Sequence, residues 1–581
     1  MRYRRLSAVA VVLALAACAR PHADAGSAPA PADAPVVARD AGRAPAILFD
    51  PALRLPAPDV EYRGAAALGL ALRRLGPTQR VLMIGAHPDD ENTALLAELA
   101  LGRGADVAYL SLTRGEGGQN LIGPELDEAL GLIRTEELLA ARRLDGAVQF
   151  FTRAYDYGFS RSADEAFQHW PHDSILSDVV AVVRAWKPDV IISQFTGTPR
   201  DGHGQHQAAG ILAREAFSAA ADPGRFPAQV AAGLAPHETA RFYQSWYRTP
   251  EGRDDLIALE TGDLDPLFGR SRFQIAMASR SRHRSQDMGR AESMGPQQYT
   301  LSAVAPGPEL TGLGDVFEGV PHRLHDRSFS PSGDPIPEYI SGPLGRYERS
   351  VRQSLSVFSP DSIREVARAL QDAVSALDEA YASANAWGGA PLRFHIALER
   401  ADAARAALLA MGVQLDVTAD RARVHPGDTI TLELALWNGG SSELPVLRLE
   451  PDLPEGWWAQ TDDAPVTSIA PGQVARRTFR VHLPHDAPVD VPYFLAQPRA
   501  AGADMYEWPA DYDVRGRAFE PSLLRGVAVV ANWLPVEDAA EFVEVDPARG
   551  ELREPVLVLP GATVDAEPDV VVVPLDARGR P

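Results

Sequence analysis

Short apolar runs alternate with amphipathic stretches from about residue 46 to residue 259. Apolar runs predict buried strands at residues 81–86, 107–113, 148–151 and 190–195. Stretches with apolar residues at helical spacing predict helices at residues 92–101, 124–145, 174–186 and 206–221. This alternation is typical of an α/β fold, with a Rossmann-like parallel sheet and helices on both faces.

The pattern changes after the α/β region. Residues 300–345 are rich in Gly and Pro and predict loops. Helical spacing returns at Ser359, which forms a favourable helix start with Pro360, and a second helix is expected from about Leu392 to Gly412. These two helices predict a helical hairpin. Beyond them apolar and polar residues alternate between turn residues, which predicts an all-β, immunoglobulin-like sandwich.

These patterns divide the chain into six segments. They are a signal peptide (1–17), an Ala/Pro-rich tether (18–45), an α/β domain (46–345), a helical hairpin (346–412), a β-sandwich (413–519) and a β-rich tail (520–581). The tail contains few strand-like runs, so it either completes the sandwich or belongs to a second, incomplete module.

Composition and charge narrow the class of protein. A chain of 581 residues is too long for one hydrophobic core, in agreement with several domains. Its hydrophobic (45%) and charged (23%) fractions are those of a folded globular protein. The formal net charge of −22 argues against a nucleic-acid partner, because phosphate binding requires a positive surface.

The N-terminus has the order of an export signal. A basic start at Arg2, Arg4 and Arg5 precedes an apolar run at residues 6–17 that is too short to span a bilayer. The run ends in Leu-Ala-Ala-Cys, which resembles the bacterial lipobox and predicts lipidation of Cys18. We therefore expect an exported lipoprotein, anchored to a membrane of the cell envelope. The alternative is an ordinary secretory signal with a chance cysteine.

Candidate chemistry follows two of the predicted strands. Residues 86–91 read Ala-His-Pro-Asp-Asp-Glu, and residues 201–206 read Asp-Gly-His-Gly-Gln-His. Because both segments follow parallel strands, they are expected at the same edge of the sheet. There His87, Asp90 and His206 form a set of donors suited to a divalent metal, with a further position left for water.

Two further residues of these segments are candidates for catalysis. Asp89 is the predicted general base, because it lies beside the metal ligands without being needed as one. His203 is the predicted donor to the oxygen that becomes negative when a carbonyl is attacked. A His-x-x-His pair found alone usually lies on a helix surface, and an Asp-Asp pair found alone usually lies in a solvated turn. Because both pairs occur here, each after a buried strand, they predict a metal-dependent hydrolase.

Residues 86–91 match the signature of the LmbE-like (PIG-L) zinc-dependent de-N-acetylases, and the resemblance covers roughly residues 78–300. It implies a Rossmann-like fold and hydrolysis of an N-acyl group, commonly the acetamide of an N-acetylglucosaminyl substrate. By this resemblance zinc is the metal, although another divalent ion is possible. The implied roles are zinc ligation by His87, Asp90 and His206, proton transfer by Asp89, oxyanion stabilisation by His203, and sugar contacts by Arg134 and Asp156.

The second motif departs from the family's commoner His-Pro-Asp-His. Gln205 stands where a carboxylate would favour protonation of His203, which leaves the charge state of His203 open. Further along the chain, His283 and Gln286 resemble a His-x-Ser-Gln element of the family and are candidate pocket residues. A solvated basic loop explains them equally well, and a surface salt bridge explains Arg134 or Asp156.

The sequence therefore favours a lipid-anchored, zinc-dependent N-deacetylase that acts on an N-acetylated sugar or glycoconjugate. One alternative is an amidase for a larger N-acyl group or a conjugate amide. Another is a non-catalytic carbohydrate-binding lipoprotein, in which Asp89 beside a complete ligand set would have no purpose.

Overall fold

The computed structural model describes residues 44–246, 256–305, 313–327, 335–387, 389–499 and 504–562. The predicted signal peptide, the lipidation site Cys18 and nearly all of the predicted tether lie outside these residues. Within them, no helix is long and apolar enough to cross a membrane.

A seven-stranded mixed sheet forms the centre of the α/β domain, in the order β3-β2-β1-β4-β5-β9-β6. Its strands are β1 (Arg80–Gly85), β2 (Asp106–Ser111), β3 (Val148–Phe151), β4 (Val190–Ser193), β5 (Arg241–Trp246), β6 (Leu256–Glu260) and β9 (Gln298–Ala305). The first five are parallel, as predicted, but β9 pairs antiparallel with both β5 and β6. A small hairpin of β7 (Leu264–Asp265) and β8 (Arg270–Ser271) precedes β9.

The expectation of loops from residue 300 is therefore wrong at its beginning, where β9 continues to Ala305. The side chains of Tyr299, Leu301 and Ala303 pack against one core, a two-residue period that identifies a strand. The strand was missed because its partners lie far away in the sequence, and pairing of this kind leaves little local signal.

Helices cover both faces of this sheet. They are α1 (Gly64–Arg74), α2 (Thr93–Ala97), α3 (Asp127–Asp145), α4 (Ala163–His169), α5 (His172–Trp186), α6 (Gly204–Ala219), α7 (Pro227–Ala231) and α8 (Arg272–Arg280). On β1, Leu82 and Ile84 join the core that contains α5 and α6, whereas Val81 and Met83 join the core that contains α2 and α3. Alternate residues of one strand thus bury two separate helical layers.

Three helices, rather than the predicted hairpin of two, follow the α/β domain: α9 (Glu338–Val357), α10 (Ile363–Ala386) and α11 (Ala390–Met411). The extra helix α9 lies across the predicted domain boundary at residue 345. The first helix of the predicted hairpin, α10, begins later than expected, after Ser362 instead of Ser359, and the second, α11, begins at Ala390, close to the predicted Leu392. Gly412 ends α11 with φ of 68°, a left-handed conformation that glycine adopts without a steric penalty.

Two further sheets form the C-terminal part. The six-stranded sheet contains β14 (Trp458–Gln460), β16 (Val474–His482), β12 (Thr429–Asn438), β10 (Val413–Ala419), β19 (Glu541–Asp546) and β20 (Gly550–Pro555). The four-stranded sheet contains β15 (Ser468–Ile469), β13 (Leu444–Asp452), β17 (Arg525–Val530) and β18 (Leu534–Ala539), and a separate pair joins β11 (Arg423–Val424) to β21 (Leu557–Val558).

The strands after residue 520 belong to these same sheets. β17 pairs with β13, and β19 pairs with β10. Leu434 of β12 and Ala528 of β17 are buried in one shared core. The described part of the tail therefore completes the β-rich region, which the sequence had left open. The strand-like run at residues 570–573 lies outside the described residues.

Candidate active site

The two predicted motifs meet at the carboxyl edge of the large sheet. β1 lies between β2 and β4, so the chain reverses its direction of progress across the sheet at this point. A crevice forms where the loops after two such strands diverge, and ligands of open α/β sheets bind there. The loops after β1 and β4 bring the ring centres of His87 and His206 to 5.3 Å, and those of His87 and His203 to 5.2 Å.

Asp90 is held in place by the backbone of the turn after β1. Its Oδ2 accepts hydrogen bonds from the amides of Ala86 at 3.0 Å and His87 at 2.7 Å. The same carboxylate lies 3.3 Å from Nδ1 of His87 and, through Oδ1, 3.3 Å from Nε2 of His206. Burial opposes ionisation of Asp90, but the neighbouring His206 and His87 outweigh it and hold its pKa well below the usual range.

His206 is oriented by a backbone partner on its far side. Its Nδ1 lies 3.1 Å from the carbonyl oxygen of Asp201, which can only accept a hydrogen bond, so the ring proton is on Nδ1. Nε2 then carries a lone pair on the side of Asp90. A hydrogen bond of this kind fixes the tautomer and direction of histidine ligands in metal sites.

The donor set fits a metal ion. One ligand atom from each of His87, His203 and His206 lies within 4.8 Å of the others, and the carboxylate of Asp90 lies between His87 and His206. Imidazole nitrogens and a carboxylate oxygen are ligands that zinc accepts in catalytic sites. The structure thus offers four donors where the sequence predicted three, because His203 belongs to the same group of imidazoles.

Asp89 lies one residue before Asp90 in a strained backbone conformation. Its φ is 99°, which is uncommon for a residue other than glycine. Its amide donates to Oε2 of Glu91 at 3.0 Å, and Arg280 donates to its carbonyl at 3.1 Å, so the turn is fixed from both sides. Burial, together with the negative charge of Asp90, raises the pKa of Asp89 to about 7.

His203 contacts Gln205 rather than a carboxylate. The side-chain amide of Gln205 donates to the carbonyl of Gly158, which leaves Oε1 of Gln205 to accept from Nδ1 of His203 at 2.9 Å. Burial and the neighbouring imidazoles of His206 and His87 lower the pKa of His203 to about 4. Asp201 does not replace the missing carboxylate, because its oxygens accept from the backbone amides of residues 196–198.

Arg134, on α3, and Asp156, in the loop after β3, are both buried beside the site. Arg134 donates to the carbonyl oxygens of Gly115 at 2.7 Å and Gln119 at 2.8 Å. Asp156 accepts from the amide of Gly158 at 2.9 Å, which closes a tight turn. A Cβ atom on Gly118 would lie only 2.4 Å from Arg134 Nη1, so this loop packs closely on the guanidinium. Their predicted contacts with a sugar stay predictions.

His283 is placed behind the site, contrary to its predicted place in a pocket. Its side chain is fully buried, and Nε2 lies 2.8 Å from Oε1 of Glu91, which leaves it no surface for a ligand. Gln286 is nearly buried and donates to the carbonyl of Pro88 at 2.5 Å. Both residues therefore support the turn of residues 86–91 from behind.

The sequence did not identify several residues around the site. Arg142 of α3 donates to the fully buried Glu91 at 3.0 Å. The only signal for such a residue was that a buried carboxylate requires a partner, which does not say where in the sequence the partner lies. The ring of Phe195 stacks on His206 with centres 4.0 Å apart. Phe159 lies 5.9 Å from His203 and is 74% exposed, so an apolar side chain borders the crevice.

Comparison with known proteins supports the motif. Residues 82–217 match the family described as PIG-L: GlcNAc-PI de-N-acetylase, and residues 424–491 match that of the NPCBM-associated, NEW3 domain of alpha-galactosidase. The 1D-myo-inositol 2-acetamido-2-deoxy-alpha-D-glucopyranoside deacetylase of Streptomyces avermitilis is 32% identical over 30% of this chain and 63% of its own length. The diacetylchitobiose deacetylase of Thermococcus kodakarensis is 30% identical over 27% of this chain and 57% of its own length.

The chain thus spans about six tenths of the length of these two relatives. Among solved structures, the N,N′-diacetylchitobiose deacetylase from Pyrococcus horikoshii in complex with its inhibitor MPG matches with a TM-score of 0.28 and 21% identity. That match covers 36% of this chain and 70% of the other. On the family match and the signature at residues 86–91, this chain carries a domain of the PIG-L (LmbE-like) family at residues 82–217.

Proposed function

We propose that this protein is a metal-dependent hydrolase that removes the N-acetyl group from an N-acetylglucosaminyl-type substrate, giving acetate and a free amine. The observation that carries the proposal is the position of Asp90, whose two carboxylate oxygens lie 3.3 Å from His87 and from His206, with Asp89 adjacent in the same turn. A structural site would need the ligands alone, whereas a hydrolytic site needs a proton acceptor beside them.

In this proposal His87, Asp90 and His206 hold the metal, and zinc is the ion that their donor atoms suit best. A zinc ion bound there supplies Lewis acidity, which activates water and polarises an amide carbonyl. The hydrogen bond from His206 to the carbonyl of Asp201 keeps the His206 lone pair directed to the ligand side.

The chain's own residues move the protons. The carboxylate of Asp89 accepts a proton from the attacking water and delivers that proton to the nitrogen as the C–N bond breaks, so that a neutral amine leaves. His203 stabilises the negative oxygen of the tetrahedral intermediate, which requires a proton on Nε2 in addition to the one shared with Gln205. The low pKa of His203 opposes this second proton until the negative oxygen develops beside the ring and favours it. Arg134, on α3, and Asp156, in the loop after β3, contact the sugar.

The substrate class rests on the relatives. The two relatives described above are by name deacetylases of N-acetylated glucosamine derivatives. The exposed Phe159 beside His203 adds an apolar surface on which a sugar ring can stack. Together these features favour an acetamido sugar in the crevice.

Release of primary amine from N-acetylated sugars tests the proposal. The detergent-solubilised full-length protein is incubated with N-acetylglucosamine, N,N′-diacetylchitobiose and an N-acetylglucosaminyl inositol, each alongside its N-benzoyl analogue. We expect amine release from the acetyl compounds, lost with a chelator and restored by zinc. Release from the benzoyl analogues alone would contradict the deacetylase and favour an amidase for larger acyl groups. No release from any compound, with zinc bound, would contradict hydrolysis.

The export and anchoring of the protein form part of the proposal, supported by the basic start, apolar run and Leu-Ala-Ala-Cys sequence at residues 2–18. Cys18→Ser is expected to release the protein from the membrane fraction, and continued membrane association would contradict lipidation at Cys18.

For the C-terminal region we propose an immunoglobulin-like sandwich, supported by its two β-sheets with a shared core. An experimental structure in which the sheets do not pack face to face would contradict it.

A further inference from the structure

A long connection in the C-terminal β-region reaches back to the active site. Residues 483–524, here called the strap, link β16 to β17 and are described except for residues 500–503. The strap lies along the segment that follows β3. Its Asp504 carbonyl accepts from the amide of Tyr155 at 3.0 Å, and the amide of Tyr506 donates to the carbonyl of Arg153 at 2.8 Å.

The strap supplies the surroundings of a buried cation in the loop after β2. The guanidinium of Arg114 lies 4.1 Å from the ring centre of Phe151 and 3.5 Å from that of Phe494, a strap residue. It donates to the strap carbonyls of Arg517 and Ala518, each at 3.0 Å. Arg114 is fully buried, so these partners stabilise a charge that would otherwise be costly to bury.

Two residues further along the same loop, Glu116 joins the strap to the crevice. The hydroxyl of Tyr506 donates to Oε1 of Glu116 at 2.7 Å, and the amide of Asp156 donates to Oε2 at 3.1 Å. All three residues are buried. A buried carboxylate with two fixed donors holds a loop firmly, because loss of one donor would leave a buried acceptor oxygen without a hydrogen bond, which costs free energy.

Glu116 holds the turn at residues 156–158, and Gln205 connects this turn to His203. The amide of Gly158 donates to Oδ1 of Asp156 at 2.9 Å, and the carbonyl of Gly158 accepts from the side chain of Gln205. Oε1 of Gln205 also accepts from Nδ1 of His203 at 2.9 Å. A continuous series of hydrogen bonds therefore leads from Tyr506 in the strap to His203 in the crevice.

We propose that Tyr506 is a positioning residue for the deacetylation. Through Glu116 it fixes the turn at residues 156–158, and through that turn it sets the place of Gln205 and His203. The C-terminal β-region is then part of the working enzyme, because the strap contributes directly to the order of the active site. This inference rests on the proposed function for its kinetic consequence, but the hydrogen-bond series itself does not depend on the substrate.

The test compares two tyrosines of the strap in the full-length, zinc-loaded protein. Tyr506→Phe removes the hydroxyl that reaches Glu116. Tyr493→Phe is the matched control, because Tyr493 is also buried and its hydroxyl donates to the carbonyl of Arg517 at 2.9 Å and accepts from Arg114 at 3.5 Å, without a hydrogen bond to Glu116. We expect kcat/KM for the N-acetyl substrate to fall about tenfold in Tyr506→Phe and to change less than about twofold in Tyr493→Phe. The thermal midpoint and zinc content are expected to change equally in both.

Amide hydrogen exchange provides a readout that needs no substrate. The peptide that covers residues 155–160 is expected to exchange about tenfold faster in Tyr506→Phe and at the wild-type rate in Tyr493→Phe, since only the first variant loosens Glu116. Wild-type kinetics with wild-type exchange in Tyr506→Phe would overturn the inference. Parallel losses of activity and stability in both variants would also overturn it, as they indicate general packing alone. If the wild-type protein releases no amine, the proposed function fails, while the exchange experiment still decides the positioning role.

Discussion

Oδ1 of Asp90 lies 3.3 Å from Nε2 of His206, although the two residues follow different strands. The other oxygen of Asp90 is held by the amides of Ala86 and His87. The folding of the sheet and the backbone of the turn therefore set this distance.

Asp90→Asn is expected to lower zinc affinity at least about tenfold, because a neutral amide replaces a charged ligand without changing its size. Titration against a chromophoric chelator measures the affinity. The control is Asp164→Asn, since Asp164 is exposed in the first turn of α4. Wild-type affinity in Asp90→Asn would remove Asp90 from the ligand set.

Asp89→Asn is expected to lower kcat by about a hundredfold or more while zinc stays bound, because general bases contribute on this scale. Asparagine tolerates positive φ, so the turn at 99° is retained. Amine release and zinc content are measured on the same sample. Unchanged kcat would exclude Asp89 as the base, and loss of zinc would make it a ligand.

His203→Ala separates two roles that the geometry allows. As an oxyanion donor, His203 contributes a factor of about a hundred to a thousand to kcat, and zinc is retained without it. If His203 is instead a further zinc ligand among the three clustered imidazoles, its replacement by Ala would cause loss of bound zinc. We expect retained zinc and reduced kcat, measured by metal analysis and amine release, and a stoichiometric loss of zinc would contradict this.

Glu399 makes stability depend on pH at a place remote from the crevice. It lies on α11, where it accepts a hydrogen bond from the hydroxyl of Tyr347, and burial raises its pKa from 4.5 to about 8. Between these values the folded protein keeps a proton that the unfolded chain releases. The free energy of unfolding therefore falls as pH rises, by up to about 1.4 kcal/mol per pH unit for this one group.

Glu399→Gln keeps the shape and the hydrogen bond but cannot lose a proton, so we expect a flatter dependence of stability on pH from 5 to 8. Denaturant unfolding at several pH values measures it. Glu365→Gln is the control, because Glu365 is exposed on α10. Equal slopes in Glu399→Gln and wild type would contradict a raised pKa at Glu399.

The sequence predicted those parts of the protein whose signal is local. Residues 86–91 follow an unbroken apolar strand and residues 201–206 follow another, so topology alone brings His87, Asp90 and His206 together. The contact of His283 with Glu91 could not be predicted, because it joins residues 192 positions apart. The same holds for Tyr506 and Glu116, separated by 390 positions, which no periodicity or motif connects. In the β-rich tail, strand-like runs were visible, but the pairing of β17 with β13 was not.

The position of the strap late in the chain has a consequence for synthesis. The strands β1 to β5 emerge from the ribosome, and from an export channel, before Tyr506 does, so the sheet and its metal ligands can assemble while Glu116 and Arg114 still lack their partners in the strap. The loops that surround the crevice gain their last contacts only when the strap packs against Glu116 and Arg114. A nascent or truncated chain that ends before residue 506 would therefore bind metal with an unfinished crevice, and full turnover would begin only once the strap is in place.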